Sequence, residues 1–323
     1  MTVSGDLGSG KTYVSRTLAG VLGYRYLSTG QLHRDIAAEL GMNSLELNLH
    51  AEENPEIDKR VDAALAGLSE EGLDYVVDSR MAWHFVPTSL KVYLMVDPDV
   101  GSARVMSDKT RLNEPSYEDQ QDAKVRLLAR KESENKRFLE EYGVDCSDLR
   151  NYDVIVDATL LTPDQVIGQL VAVIGRWKEG LDFNKYWTSP RSLFPTEHVE
   201  QVAGQAAGDL RAGIERDDSD PDHPIEVVSY QNFWFIWKGH RRASAALLAK
   251  RAVVPIVVLA RDQERLPTGE TAEEFARASM IQSRYHDWEK AHGFRFHKYP
   301  GRVAAEAGRE GLGSPALACD PQS

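Results

Sequence analysis

A chain of 323 residues is longer than one average domain, and 42% hydrophobic against 27% charged residues is a balance that buries a core in each of two units. The formal net charge of −12 argues against direct nucleic-acid binding, because an acidic surface repels phosphate backbones. Cys146 and Cys319 stand in no metal-ligand spacing, and no apolar run approaches the ~20 residues of a bilayer span, so the chain reads as cytoplasmic, with no disulfide framework, Cys-based zinc site or membrane partner.

The first half alternates short β-rich runs with helical patterns. Met1-Thr2-Val3-Ser4 leads straight into glycines. Further strands are expected at 24–27, 75–77, 90–96 and 153–156, all rich in β-branched and aromatic residues and ending in polar turns. Helices are expected near 11–22, 30–41, 55–71, 98–107, 117–142 and 163–178. That alternation implies an α/β fold with a parallel sheet, whose ligands sit beyond the carboxyl ends of the strands. Residues 179–190 suit a linker. A second unit follows, with a helix near 196–214, an acidic loop at 217–222, strands at 225–228, 233–237 and 253–259, and helices at 240–249 and 271–290. The tail, 301–323, is rich in Gly and Ala and is expected to be disordered.

Gly5-Asp6-Leu7-Gly8-Ser9-Gly10-Lys11-Thr12 completes the spacing G-x-x-x-x-G-K-T, the Walker A pattern. Its glycines let successive main-chain N–H groups turn toward phosphate oxygens. Lys11 is expected on the β- and γ-phosphates and Thr12 on Mg²⁺, with ATP as the donor, while the following helix aims its positive end at the anion. Asp78, closing the third strand, suits the second carboxylate on the Mg²⁺ side and equally suits an ordinary turn.

Phosphoryl transfer also needs cations around an acceptor, and the guanidinium fork suits phosphate. Arg34 follows the second strand, and Arg80 lies just past the third at the ligand-facing edge. Arg126, Arg130 and Arg137 fall within roughly 40° of one another on one helix face. They read either as a catalytic stripe or as solvated partners of Glu134, Glu140 and Glu141.

Residues 1–178 resemble the compact archaeal type of cytidylate kinase, within the nucleoside monophosphate kinases. The resemblance runs through Thr2-Val3-Ser4-Gly5, Tyr26-Leu27-Ser28-Thr29-Gly30 to Arg34, and 51–58. It continues in Asp78-Ser79-Arg80, Lys131-Glu132-Ser133-Glu134 to Arg137, Tyr142-Gly143-Val144-Asp145, and Leu149 to Asp157. It implies a five-stranded parallel sheet of P-loop NTPase type, a lid around 107–137, and transfer from ATP·Mg²⁺ to a pyrimidine monophosphate such as CMP or dCMP. Arg34 and Arg80 would then clamp the acceptor phosphate, with Arg126 beside them. Arg130 and Arg137 would close on the transition state with Lys11 and Arg80, and Asp157 and Thr159 would lie near the donor base. Ser79 stands where that family has Gly, adding a side chain beside the acceptor.

Residues 187–262 are similar to the ParB/sulfiredoxin-like fold, through Ser189 to Glu197, Pro224 to Val228, and Trp237 to Ala246. This implies a smaller α+β domain over 187–300. Gly239, His240, Arg241 and Arg242 carry the G-x-x-R signature, which reads as a second anion site or as a plain helix cap. His240 replaces both the sulfiredoxin cysteine and the partition-protein glutamate, so neither activity carries over. Trp234 and Trp237 read as core rather than a stacking platform. Three functions remain: a nucleoside monophosphate kinase with an accessory metabolite-binding unit, an ATP-gated regulatory protein, or a kinase of a specialised acceptor.

Overall fold

Short buried strands need cover on both faces, and the sequence supplies amphipathic helices between them. In the computed structural model, which describes residues 1–54, 56–66, 68, 74–108, 117–203 and 223–301, this produces β1 (Thr2–Gly5), α1 (Lys11–Leu22), β2 (Arg25–Ser28), α2 (Thr29–Glu39), α3 (Ser44–Glu53), α4 (Glu56–Ala66), β3 (Tyr75–Asp78), α5 (Ala82–Phe85), β4 (Lys91–Met95), α6 (Pro98–Ser107), α7 (Gln120–Tyr142), β5 (Val154–Asp157) and α8 (Pro163–Lys178). Then come β6 (Tyr186–Thr188), β7 (Leu193–Phe194), α9 (Val199–Ala203), β8 (Ile225–Tyr230), β9 (Phe233–Lys238), α10 (His240–Leu248), β10 (Val254–Arg261), α11 (Ala272–Ser279) and α12 (Gln282–His292).

Among the described residues one ten-stranded mixed sheet runs β2-β3-β1-β4-β5-β6-β10-β8-β9-β7. The expected five parallel strands are its first five, in register Val3↔Val92 and Val92↔Val154. They do not end at an edge. β6 pairs parallel to β5 (Ile155↔Tyr186) and antiparallel to β10 (Val254↔Thr188), so the sheet continues into the C-terminal half. The linker expected over 179–190 therefore contains a structural strand. Its short Tyr186-Trp187-Thr188 run has too few aliphatics to read as one. Trp187 nonetheless joins the apolar core between the sheet and α1 and α8, with Leu18, Leu94 and Leu170.

The opposite face carries Tyr93, Tyr152 and Ile155 against Met81, Trp83 and Cys146. In the C-terminal half, Trp234 packs with Phe194, Phe235, Tyr285 and Trp288, as a core reading requires, while Trp237 lies against Phe275 beside a smaller cluster. α7 starts where Asp119 accepts a hydrogen bond from the Asp122 amide, and it ends at Gly143 in the left-handed region. The helix expected over 55–71 is preceded by α3, which has too weak an apolar periodicity to announce itself. The acidic loop 217–222 and the tail 302–323 lie outside the described residues, as does most of the helix expected over 196–214. Among the described residues no helix is long and apolar enough to cross a membrane.

Candidate active site

Parallel pairing of β1 between β3 and β4 sets Asp78 across from Val3 and Gly5 across from Leu94, both at the carboxyl edge. The loop from Gly5 then folds as the glycines permit. Gly8 has φ 80° and abuts the backbone of Gly101 in α6, where a Cβ would have no room. Gly10, at φ 82°, opens α1. The buried Ser9 hydroxyl has no hydrogen-bond partner among the described residues, so the cradle holds an unsatisfied polar group aimed at no protein atom.

Lys11 Nζ donates to Asp78 Oδ1 at 2.8 Å and Thr12 Oγ1 to Asp78 Oδ2 at 2.7 Å, with the Tyr26 hydroxyl at 3.3 Å. Burial, with Asp78 only 2% exposed, would raise its carboxyl pKa. The Lys11 charge and these hydrogen bonds outweigh burial and hold it below the ordinary carboxylate value. Asp78 is thus an anion beside the Thr12 hydroxyl, the donor pair that Mg²⁺ takes next to phosphate oxygens. Asp6 behaves differently from the rest of the loop. Its carboxylate turns away to accept from Tyr93 Oη (2.8 Å), the Val96 amide (3.1 Å) and Lys131 Nζ (2.5 Å) of α7.

Opposite the loop, one cavity of about 850 Å³ is lined by Lys11, Thr12, Arg34, Arg80, Arg130 and Arg137. Arg80 and Arg130 both pair with Glu134, the latter at 2.8 Å. Burial of Glu134 alone would raise its pKa. The charges of Arg80, Arg130 and Arg137 reverse that and bring it to about 2. Glu134 therefore holds the arginines in place as a permanent anion. His33 lines the same cavity. Burial, opposed by Glu134 and aided by Arg130, Arg137 and Arg34, lowers its pKa to about 4, and its Nε2 has no hydrogen-bond partner among the described residues. Ser79 lines the same cavity, and its hydroxyl accepts from the Met81 and Ala82 amides and fastens the turn into α5.

The family model described as "Cytidylate kinase-like family" matches residues 1–160. The cytidylate kinase of Pyrobaculum arsenaticum is 33% identical over 168 residues, covering 52% of this chain and 88% of that one. Through its N-terminal half the chain belongs to the cytidylate kinase-like family. The cytidylate kinase of Haloarcula marismortui is 36% identical over 169 residues, covering 52% of this chain and 84% of its own. The shikimate kinase of Bacteroides thetaiotaomicron overlays with a TM-score of 0.39 at 14% identity, over 54% of this chain and 97% of that one.

Within this kinase half Arg126 lies away from the site, while Asp157 and Thr159 line a neighbouring cavity that Asp6 and Leu7 of the phosphate loop also border. Arg126 pairs with Asp122 at 2.7 Å one turn away and does not line the cavity, because a nearer carboxylate on its own helix captures it. Asp157 Oδ2 accepts from Thr188 Oγ1 (2.9 Å) and Trp234 Nε1 (3.4 Å), so it fastens the kinase half to the C-terminal half. Thr159 Oγ1 accepts from the Asp97 amide at 3.0 Å and steadies the turn before α6. At Gly239 to Arg242 two of the side chains are held by protein groups. Arg242 donates to the carbonyls of His223 and Pro224, and buried His240 accepts from the Thr196 amide through Nε2 at 3.0 Å. Burial lowers the His240 pKa to about 4, leaving it neutral. His33 and Lys131 had no role in the sequence reading, whereas Glu134 stood there as a solvated partner of the arginines and is in fact buried. The spacing of Arg130, Glu134 and Arg137 at i, i+4 and i+7 carried the signal for Glu134.

Proposed function

We propose that the chain transfers the γ-phosphoryl group of ATP to the phosphate of a pyrimidine nucleoside monophosphate, CMP or dCMP, giving the diphosphate and ADP. One observation carries this reading. A single cavity has a phosphate-binding loop with Lys11 on one wall and four arginines, from α2, the β3–α5 turn and α7, on the others. Both reactants are anionic, and cations on opposite sides bring them together and offset charge on the moving group. Thr12 and Asp78 would hold Mg²⁺, which supplies further charge neutralisation. The lone Ser9 hydroxyl and the glycine turn suit the triphosphate. An acceptor phosphate is already a nucleophile, so positioning takes the place of a strong general base. The C-terminal half is proposed as an accessory unit of ParB/sulfiredoxin-like type, on the strength of its strands and the glycine that opens α10.

The reading is tested by separating the two walls. Arg80→Ala is expected to raise the KM for CMP by about tenfold or more, as loss of a charged hydrogen bond does, with ATP affinity nearly intact. Lys11→Ala is expected to weaken ATP and abolish turnover. Equal loss of ATP and CMP binding in Arg80→Ala would refute the assignment of walls, and turnover of a different phosphate acceptor in preference to both pyrimidines would refute the substrate.

A further inference from the structure

A second cavity, of about 650 Å³, lies between the two halves. It reaches the kinase half at Asp6 and Leu7 of the phosphate loop and at Leu127 and Lys131 of α7, and it is walled on the other side by Phe233 and Arg261. Neither half forms it alone. It exists because β6 joins the two sheets and places the C-terminal strands beside α7.

Its chemistry is mixed in an informative way. Most charges at its rim are matched: Lys131 with Asp6, Lys298 with Asp97, and Arg150 with Asp148. Two guanidinium groups have no carboxylate partner among the described residues. Arg261 lies over the Tyr186 ring at 5.2 Å, and its buried Nη2 has no hydrogen-bond acceptor. Arg191 lies over the Phe294 ring at 6.0 Å. A buried donor without a partner is costly, and a guanidinium cannot shed its charge to relieve it. The rings of Tyr186, Phe194 and Phe233 line the same cavity, an apolar surface suited to a flat body.

We propose that this cavity binds a small organic anion, a flat ring bearing a phosphate or carboxylate that Arg261 and Arg191 receive, and that its occupancy sets the position of α7. The coupling follows from α7. Lys124, Leu127, Leu128 and Lys131 face the inter-half cavity, whereas Arg130, Glu134 and Arg137 face the phosphate cavity. The two sets are centred roughly 100° apart on one rigid helix. A ligand in the first cavity therefore bears on the helix that carries the arginines of the second, and the Lys131–Asp6 pair links it to the phosphate loop as well.

The test is isothermal titration of the full chain with phenyl phosphate and with benzoate, alongside inorganic phosphate and benzyl alcohol, paired with amide exchange of 120–142. The expected result is binding of at least one ring-bearing anion in both wild type and Lys11→Ala. That binding falls about tenfold or more in Arg261→Met, with Arg191→Met as a second, exposed variant, and bound probe slows exchange in α7. Preference between the two probes tells a phosphate head from a carboxylate. Binding of neither probe would overturn the proposal. So would loss of binding in Lys11→Ala with both arginine variants unaffected, binding of inorganic phosphate as tight as phenyl phosphate, or binding with no change in α7.

Discussion

At the scale of residues, the site rests on two buried carboxylates with opposite tasks. Asp78 binds Lys11 and Thr12 at the phosphate loop, and Glu134 pairs with the arginines proposed to receive the acceptor. Removing the second leaves three guanidinium groups facing one another without their anion. Glu134→Gln is expected to cost about 3–5 kcal/mol of stability by urea unfolding, the range for breaking a buried pair from one side. Unchanged stability would show that solvent, not Glu134, balances the arginines. The same groups set a pH dependence. Glu134 titrates at about 2, below its ordinary 4.5, so its contribution is complete above about pH 4.5 and drains away as pH falls toward 2. His33 and His240 titrate at about 4, below their ordinary 6.5, so the native state resists their protonation. Stability is therefore expected to decline as pH drops from about 6.5 toward 4, read as the urea midpoint. A midpoint that rises over that window would contradict the burial of both imidazoles. The residues of the phosphate loop were legible in the sequence because their chemistry dictates their spacing. His33 was not, since a single imidazole on a helix has no pattern to betray it.

At the scale of elements, α7 carries most of the functional geometry. Its arginine stripe was visible as a helical periodicity, yet Arg126 left the stripe, because side chains pair with whatever carboxylate is nearest and Asp122 lies one turn away. What the periodicity could not show is the tie from Lys131 to Asp6, a contact spanning 125 residues. That pair is partly exposed, and such pairs contribute about 1 kcal/mol or less. Lys131→Met is accordingly expected to speed amide exchange across 120–131 up to roughly fivefold, the equivalent of that energy, without unfolding the protein. Exchange unchanged would mean that apolar packing of Ala123 and Leu127 alone fixes the helix.

At the scale of the whole molecule, the alternation of strands and helices announced the parallel sheet, and the composition of the second half announced its own core. The join between them was hidden. β6 is three residues long, and its identity as a strand comes from β5 and β10 on either side rather than from its own propensity. A continuous sheet should melt as one unit. Calorimetry of the wild type is expected to give a single transition, whereas Trp187→Pro, which removes a ladder donor and an aromatic ring from the middle of the sheet, should split it in two. Two transitions in the wild type would deny the join. Joined in this way, the second half walls a cavity against α7 of the kinase half, which gives it a physical role under the proposal above. All of this presupposes that the arginine-lined cavity is where a phosphoryl group changes hands. The most direct measurement is formation of CDP from CMP and ATP with Mg²⁺ by the full chain. Steady turnover that disappears in Lys11→Ala is predicted, and tight ATP binding with no diphosphate formed from CMP, dCMP, UMP or AMP would contradict it.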